Sequence, residues 1–235
     1  MRRRHLTVIE QNNVTGGVSY WQGIDNQSLS DRNGVSLADY IHAIYGFIRQ
    51  AKCKRVLMIG CGGGTLATML SRAGVAITMV DINAASFEIA RTYFAMPDAV
   101  ECHTGDGVAF LRRNARRFDA IVLDAYSGGA IPGQFRKPSF FALAKTRLAR
   151  GGIVLANVLA ADDDDPRPDD IARLMKTAWR DVRILDADGY VDRNVVVIAG
   201  AVRTLRPPRL LMAPARCARS IARNLKGLGY RAARG

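Results

Sequence analysis

The 235-residue sequence predicts an α/β fold, a doubly wound and mostly parallel sheet preceded by a small β-hairpin element. Three observations carry that expectation. From Lys54 onward, apolar strand-like runs alternate with segments of helical spacing. The first of those strands ends in a glycine-rich turn, and carboxylates stand at the ends of successive strands.

Taken in order, His5-Leu-Thr-Val-Ile and Gly17-Val-Ser-Tyr-Trp are β-like pieces separated by the turn formers Asn12-Asn13 and Gly16-Gly17, which predicts a hairpin. Leu37, Ile41, Ile44 and Ile48 recur at helical spacing and predict an entry helix. Arg55-Val-Leu-Met-Ile-Gly is a buried-strand run, Leu66 to Ala73 a short helix closed by Gly74, and Val75-Ala-Ile-Thr-Met-Val-Asp the next strand. A helix near 84–95, a strand near Val100, a helix near 107–114 and the strand Phe118-Asp-Ala-Ile-Val-Leu-Asp continue the alternation. A helix near 139–149 precedes Gly151-Gly152 and a strand from Ile153, and another helix is expected near 171–179. Val182-Arg-Ile-Leu and Asn194-Val-Val-Val-Ile-Ala supply the last strands. Asp162 to Asp165, with the prolines that follow, reads as a solvated acidic loop. The domains expected are therefore a hairpin with entry helix over 1–50, an α/β domain over 51–200 and a basic tail over 201–235.

Composition narrows the class. Hydrophobic residues make up 49% and charged residues 23%, which is ordinary for a globular chain. No apolar stretch approaches the roughly 20 residues that span a bilayer, and the start lacks a signal-peptide core, so a cytoplasmic protein without a transmembrane segment is expected. The four cysteines lack the close spacing of a zinc site or the density of a disulfide scaffold, and no metal site is expected. Of the net charge of +13, nine positive charges lie after Gly200, where there is no acid at all. Such a tail is a candidate polyanion contact as well as an ordinary solvated surface.

The chemistry concentrates at the strand ends. Gly60, Gly62 and Gly64 let a ligand approach the backbone where a turn feeds a helix, and Asp81 stands about 20 residues on, the interval at which an acid meets a ribose in such folds. Asp106, between Gly105 and Gly107, stands where a carboxylate can accept the exocyclic amine of an adenine; taken singly it reads as a helix cap, and the succession of three such sites at successive strand ends is what points to a nucleoside. Asp124 and Tyr126 reach the same edge at the end of an apolar strand, where an acid can orient or deprotonate an attacking amine. The Gly60-x-Gly62-x-Gly64 spacing does not match a dinucleotide fingerprint, which disfavours a nicotinamide enzyme.

Val56-Leu-Met-Ile-Gly-Cys-Gly-Gly-Gly, Val80-Asp81-Ile, Ala90-Arg91-Thr-Tyr93-Phe94, Gly105-Asp106-Gly107 and Leu123-Asp124-Ala-Tyr126 together resemble the spermidine-synthase-like family of the S-adenosylmethionine-dependent methyltransferase superfamily. Asn26-Gln27-Ser28 and Tyr40-Ile41-His42 are similar to its substrate-side entry, and the resemblance covers roughly residues 4–200. It implies a seven-stranded, Rossmann-like methyltransferase-type sheet. It also implies S-adenosylmethionine or decarboxylated S-adenosylmethionine as cofactor, with Asp81 on the ribose, Asp106 on the adenine amine and Asp124 on the attacking amine. Gln27 and Tyr40 then lie on the side of an amine or other small-molecule acceptor, and the hairpin is a candidate homodimer element.

Two positions depart from the pattern. Aminopropyltransferases carry acids where this chain has Gly63 and Ser127, and those acids grip cationic amines. Gly63 also removes a negative charge that would repel the carboxylate of intact S-adenosylmethionine. The sequence therefore leans to alkyl transfer of the methyl kind. Spermidine synthesis by aminopropyl transfer, and a non-catalytic cofactor-binding protein acting through its tail, stand as alternatives.

Overall fold

A computed structural model describes residues 7–23 and 25–234; His5 and Leu6, the start of the expected first strand, lie outside them. The chain opens with three antiparallel strands, β1 (Thr7–Gln11), β2 (Val18–Gln22) and β3 (Asp25–Ser30), one strand more than the expected hairpin. Helix α1 (Asp39–Gln50) follows, burying Ile41, Ile44 and Ile48 on the predicted stripe.

The alternation then runs β4 (Arg55–Ile59), α2 (Thr65–Arg72), β5 (Ala76–Asp81), α3 (Ala85–Tyr93), β6 (Glu101–Thr104), α4 (Gly107–Arg113), β7 (Phe118–Leu123), α5 (Pro138–Thr146), β8 (Leu148–Ala160), α6 (Arg167–Lys176), β9 (Val182–Asp186) and β10 (Arg193–Gly200). The tail adds α7 (Ala218–Gly227) and β11 (Gly229–Arg231). The main sheet has the order β11-β9-β10-β8-β7-β4-β5-β6. Its β8-β7-β4-β5-β6 portion is parallel, while β10 and β11 pair antiparallel to their neighbours. Eight strands replace the expected seven because β11 pairs with β9.

Strand β4 shows why helices cover both faces. Val56 and Met58 enter a core shared with Ile44, Leu66, Ala90 and Ile221, whereas Leu57 and Ile59 enter one shared with Leu111, Phe141 and Ile171. Alternate side chains on a pleated strand point to opposite faces, so an unbroken apolar run needs cover on both sides. At roughly 1.5–3 kcal/mol for each large apolar side chain buried, these layers dominate the cohesion of the fold.

Two boundaries moved for local reasons. Strand β8 begins at Leu148 instead of Ile153, with Ala149 to Gly152 lying opposite Asp119 alone; Gly151, at φ +76°, is held within an irregularity of the ladder and does not end it. Helix α6 begins at Arg167, ahead of the expected Ile171, since Pro168 sits in the first turn where a missing N–H costs nothing. The acidic run is also less solvated than expected. Asp163 accepts the Gly189 amide at 3.0 Å and pairs with Arg193, and Asp165 is bonded to Arg167 and to the Ala161 amide. Among the described residues no helix is long and apolar enough to cross a membrane.

Candidate active site

The sheet order reverses at β4, whose neighbours are β5 on one side and β7 on the other. Open α/β sheets hold ligands at the carboxyl ends of the strands flanking such a reversal. Gly60, Asp81 and Asp124 all stand there.

Gly60 has φ +99°, and a Cβ on it would lie 2.1 Å from the Asp124 carbonyl oxygen. No other residue lets the ends of β4 and β7 approach this closely. The Asp124 amide bonds to the Ile59 carbonyl at 2.9 Å across the same gap. Gly62 and Gly64, with φ of +50° and +67°, complete the turn into α2.

Most amides of this turn are already engaged. Gly60 N donates to the Val80 carbonyl, Cys61 N to Asp81 Oδ2 at 2.7 Å, Gly63 N to Ser28 Oγ at 2.7 Å and Gly64 N to the Cys61 carbonyl. A phosphate cradle needs such N–H groups free. This turn suits a nucleoside without a phosphate better than a phosphate.

Asp81 accepts Cys61 N on Oδ2 and Asn83 N on Oδ1, the latter at 2.8 Å. A carboxylate has about four lone-pair sites, so acceptor capacity is left for two ribose hydroxyls. Burial raises its pKa, and the two amide bonds counter the rise. Asn83 in turn accepts the Ala85 amide at 3.2 Å, as the helix after Asp81 requires.

Asp106 caps α4 through Oδ1, which accepts the Ala109 amide at 2.9 Å, while Oδ2 accepts Gln134 Nε2 at 3.2 Å. It stands between two clefts. One of about 460 Å³ is lined by Val80, His103 and Phe110, and one of about 340 Å³ by Val108, Gln134 and Phe140. The cap therefore coexists with a carboxylate edge at a cavity.

Asp124 is held from two sides by side chains of other elements. Asn157 Nδ2 donates to its Oδ1 at 2.8 Å and the Tyr40 hydroxyl to its Oδ2 at 3.3 Å. Burial pushes its pKa up, and these two donors oppose the rise. Burial also drives the Tyr40 phenol well above its ordinary value, with the charge of Asp124 adding to the effect. Both keep Tyr40 a neutral donor.

The other predicted residues divide. Gln27 lies on β3 directly over the turn, its carbonyl 3.0 Å from where a Cβ on Gly62 would be. Tyr126 reaches the same edge, yet its hydroxyl donates to the Asn157 carbonyl at 2.9 Å and accepts the Leu159 amide at 2.8 Å. It straps the end of β7 to β8, and burial raises its pKa first, with the Asp124 charge second.

Two residues to which the sequence assigned no role complete the site, Asn157 and Ser28, the latter named only within the Asn26-Gln27-Ser28 resemblance. Asn157, only 2% exposed, is the lone amide side chain in the apolar run of β8, and that isolation was the available signal. Ser28 stood in that motif without a role, because nothing local to a serine on an edge strand points to the Gly63 amide that it accepts.

A family model described as a methyltransferase domain matches residues 56–152. The chain is 28% identical over 143 residues to a probable polyamine aminopropyl transferase of Bifidobacterium longum, covering 60% of this chain and 32% of that one. It is 30% identical over 122 residues to the polyamine aminopropyltransferase of Vibrio vulnificus, covering 49% and 41%. The chain thus spans well under half the length of these relatives. Among solved structures, a probable spermidine synthase from Corynebacterium glutamicum superposes with a TM-score of 0.78 at 19% identity, covering 98% of this chain and 88% of that one. Sheet order and glycine turn agree with these likenesses: the chain has the methyltransferase-type α/β fold and is similar to spermidine synthases and polyamine aminopropyltransferases.

Proposed function

We propose that the chain is an alkyltransferase that binds an S-adenosyl sulfonium nucleoside and passes an alkyl group to an amine. The relatives favour aminopropyl transfer from decarboxylated S-adenosylmethionine over the methyl transfer that Gly63 suggests. The observation that carries the reading is Asp124, a carboxylate held from two sides at the reversal point of the sheet, beside the glycine turn.

The residues at hand fit such a nucleoside. Asp81 has capacity for the ribose, Asp106 offers an acid edge at a cleft, and the turn presents little unpaired N–H for a phosphate. When bound, the sulfonium supplies an activated carbon and a neutral thioether leaving group. Asp124 accepts a hydrogen bond from the amine acceptor and takes its proton as the new nitrogen–carbon bond forms and the carbon–sulfur bond breaks. Tyr40 and Asn157 hold the carboxylate so that one orientation is presented.

A second reading, methyl transfer from intact S-adenosylmethionine, is supported by the packing at Gly63. A Cβ there would meet Ser28 Cβ at 2.7 Å and the Phe94 ring at 3.0 Å, so the acid that would grip an aminopropyl amine is absent and its space is filled. Calorimetric titration with intact and decarboxylated S-adenosylmethionine and with methylthioadenosine separates the two. Preference for the decarboxylated form supports aminopropyl transfer, preference for the intact form supports methyl transfer, and binding of none of the three removes both.

A further inference from the structure

Apart from Arg216, which is half-buried against Gly17, the cations after Gly200 fall into two sets. Arg203 pairs with Asp181 at 3.0 Å, Arg231 with Asp169 and Asp186 at 2.8 Å each, and Arg234 with Asp164 at 3.7 Å. By contrast, Arg206, Arg209, Arg219, Arg223 and Lys226 are exposed, and among the described residues their side chains make no ion pair.

Arg219, Arg223 and Lys226 follow one another at i, i+4 and i+7 in α7, so they form a single row spread over about 10 Å of helix. The opposite face of α7 is docked: Ile221 and Leu225 are 2% and 1% exposed in the core shared with α1. Arg206 and Arg209 are laid on the same helix α1. Gln50 bonds both backbone groups of Arg206 at 3.0 Å, and Pro208 lies against Gly46. The carboxylate bonded to α7 here, Asp39, is held by the uncharged Asn224 at 2.8 Å and neutralises none of the row.

We infer that this face binds the phosphate backbone of nucleic acid, without sequence preference and apart from the nucleoside site. A rigid helix offers the row at fixed spacing, so little ordering opposes binding. Membrane-lying helices instead sink an apolar face into the lipid boundary, and in α7 that face is already used on the domain. What remains is charge alone, which complements a polymer carrying one negative charge per about 1.7 Å of duplex.

The test is fluorescence anisotropy of the full chain with labelled DNA and RNA duplexes of about 20 base pairs, from about 50 to about 200 mM salt. The triple variant Arg219→Gln/Arg223→Gln/Lys226→Gln keeps Ile221 and Leu225, and its thermal midpoint is expected to match the parent. Binding about tenfold weaker or more, with a salt slope shallower by about 2 to 3, is the expected result. A control, Arg136→Gln/Arg150→Gln/Arg180→Gln, removes the same charge from exposed positions elsewhere and is expected to bind almost as the parent does. An equal loss in the control, unchanged binding in the α7 variant, or binding to phosphatidylserine vesicles with none to either duplex overturns the inference.

Discussion

Ser28 Oγ accepts the Gly63 amide at 2.7 Å, so the N-terminal three-stranded sheet is fastened to the glycine turn at the residue where aminopropyltransferases place an acid. The same serine's Cβ leaves no room for a side chain at position 63. Gly63→Asp is therefore expected to destabilise the fold by roughly 1–3 kcal/mol through overpacking. Ser28→Gly in the same chain is expected to recover part of that loss. Thermal unfolding of the single and double variants checks both, and an unaltered midpoint in the single variant would show that β3 gives way freely.

Asp81→Ala is expected to weaken nucleoside binding by about 1.5–3 kcal/mol, the scale of hydrogen bonds to a charged group. It also strips partners from the Cys61 and Asn83 amides. Calorimetry on the folded variant separates the roles. Unchanged affinity would leave Asp81 with its structural bonds alone.

Turnover is expected to need Asp124 ionised. Because burial raises its pKa, the acid limb of the pH–rate profile is expected above the ordinary aspartate value of about 3.9. Activity is present above that limb and is lost as pH falls through it. Asn157→Leu removes a donor that opposes the rise, so the limb is expected to move to still higher pH. Asp124→Asn is expected to abolish most turnover while nucleoside binding persists. A pH profile identical in the Asn157→Leu variant would separate that amide from the acid's titration.

Arg231 joins β11 to two acids that are nearly inaccessible, Asp169 and Asp186, whose side chains are 3% and 2% exposed. Arg231→Met is expected to cost less than the roughly 3–5 kcal/mol of a fully stranded buried ion pair, because Asp186 keeps Arg193 and Asp169 keeps the Arg234 amide. Urea unfolding measures it. A chain ending at Gly200 would lose this contact together with Ile221 and Leu225, and is expected to unfold, which makes it unsuitable for testing the tail alone.

The same acids set an acid limit on stability. Burial acts to raise the Asp186 carboxyl, but bonds from Arg193 and Arg231 outweigh it; for Asp169, Arg231 and the Arg234 amide do the same. Both end below the usual aspartate value. Their stabilisation is fully present above about pH 4 and is lost as pH falls through the lowered values. Acid titration of the thermal midpoint is expected to show a steep fall there in the parent and a shallower one in Arg231→Met.

Periodicity and punctuation carried much of the fold. The two-sided burial of Val56 to Ile59, the helical stripe of Ile41, Ile44 and Ile48, the turn at Gly60 to Gly64 and the acids at 81, 106 and 124 are all local patterns. A strand or helix imposes its own repeat on the sequence, so such patterns can be read without knowing what the element touches. The pairing of Ser28 with Gly63 spans 35 residues, and that of Asn157 with Asp124 spans 33. No repeat links those positions. Nor does any local rule separate Arg231, bound between two buried acids, from Arg223, exposed and unpaired eight residues before it. Which arginine becomes structural was decided only when β11 met β9, because an ion pair depends on where distant backbone segments place their side chains.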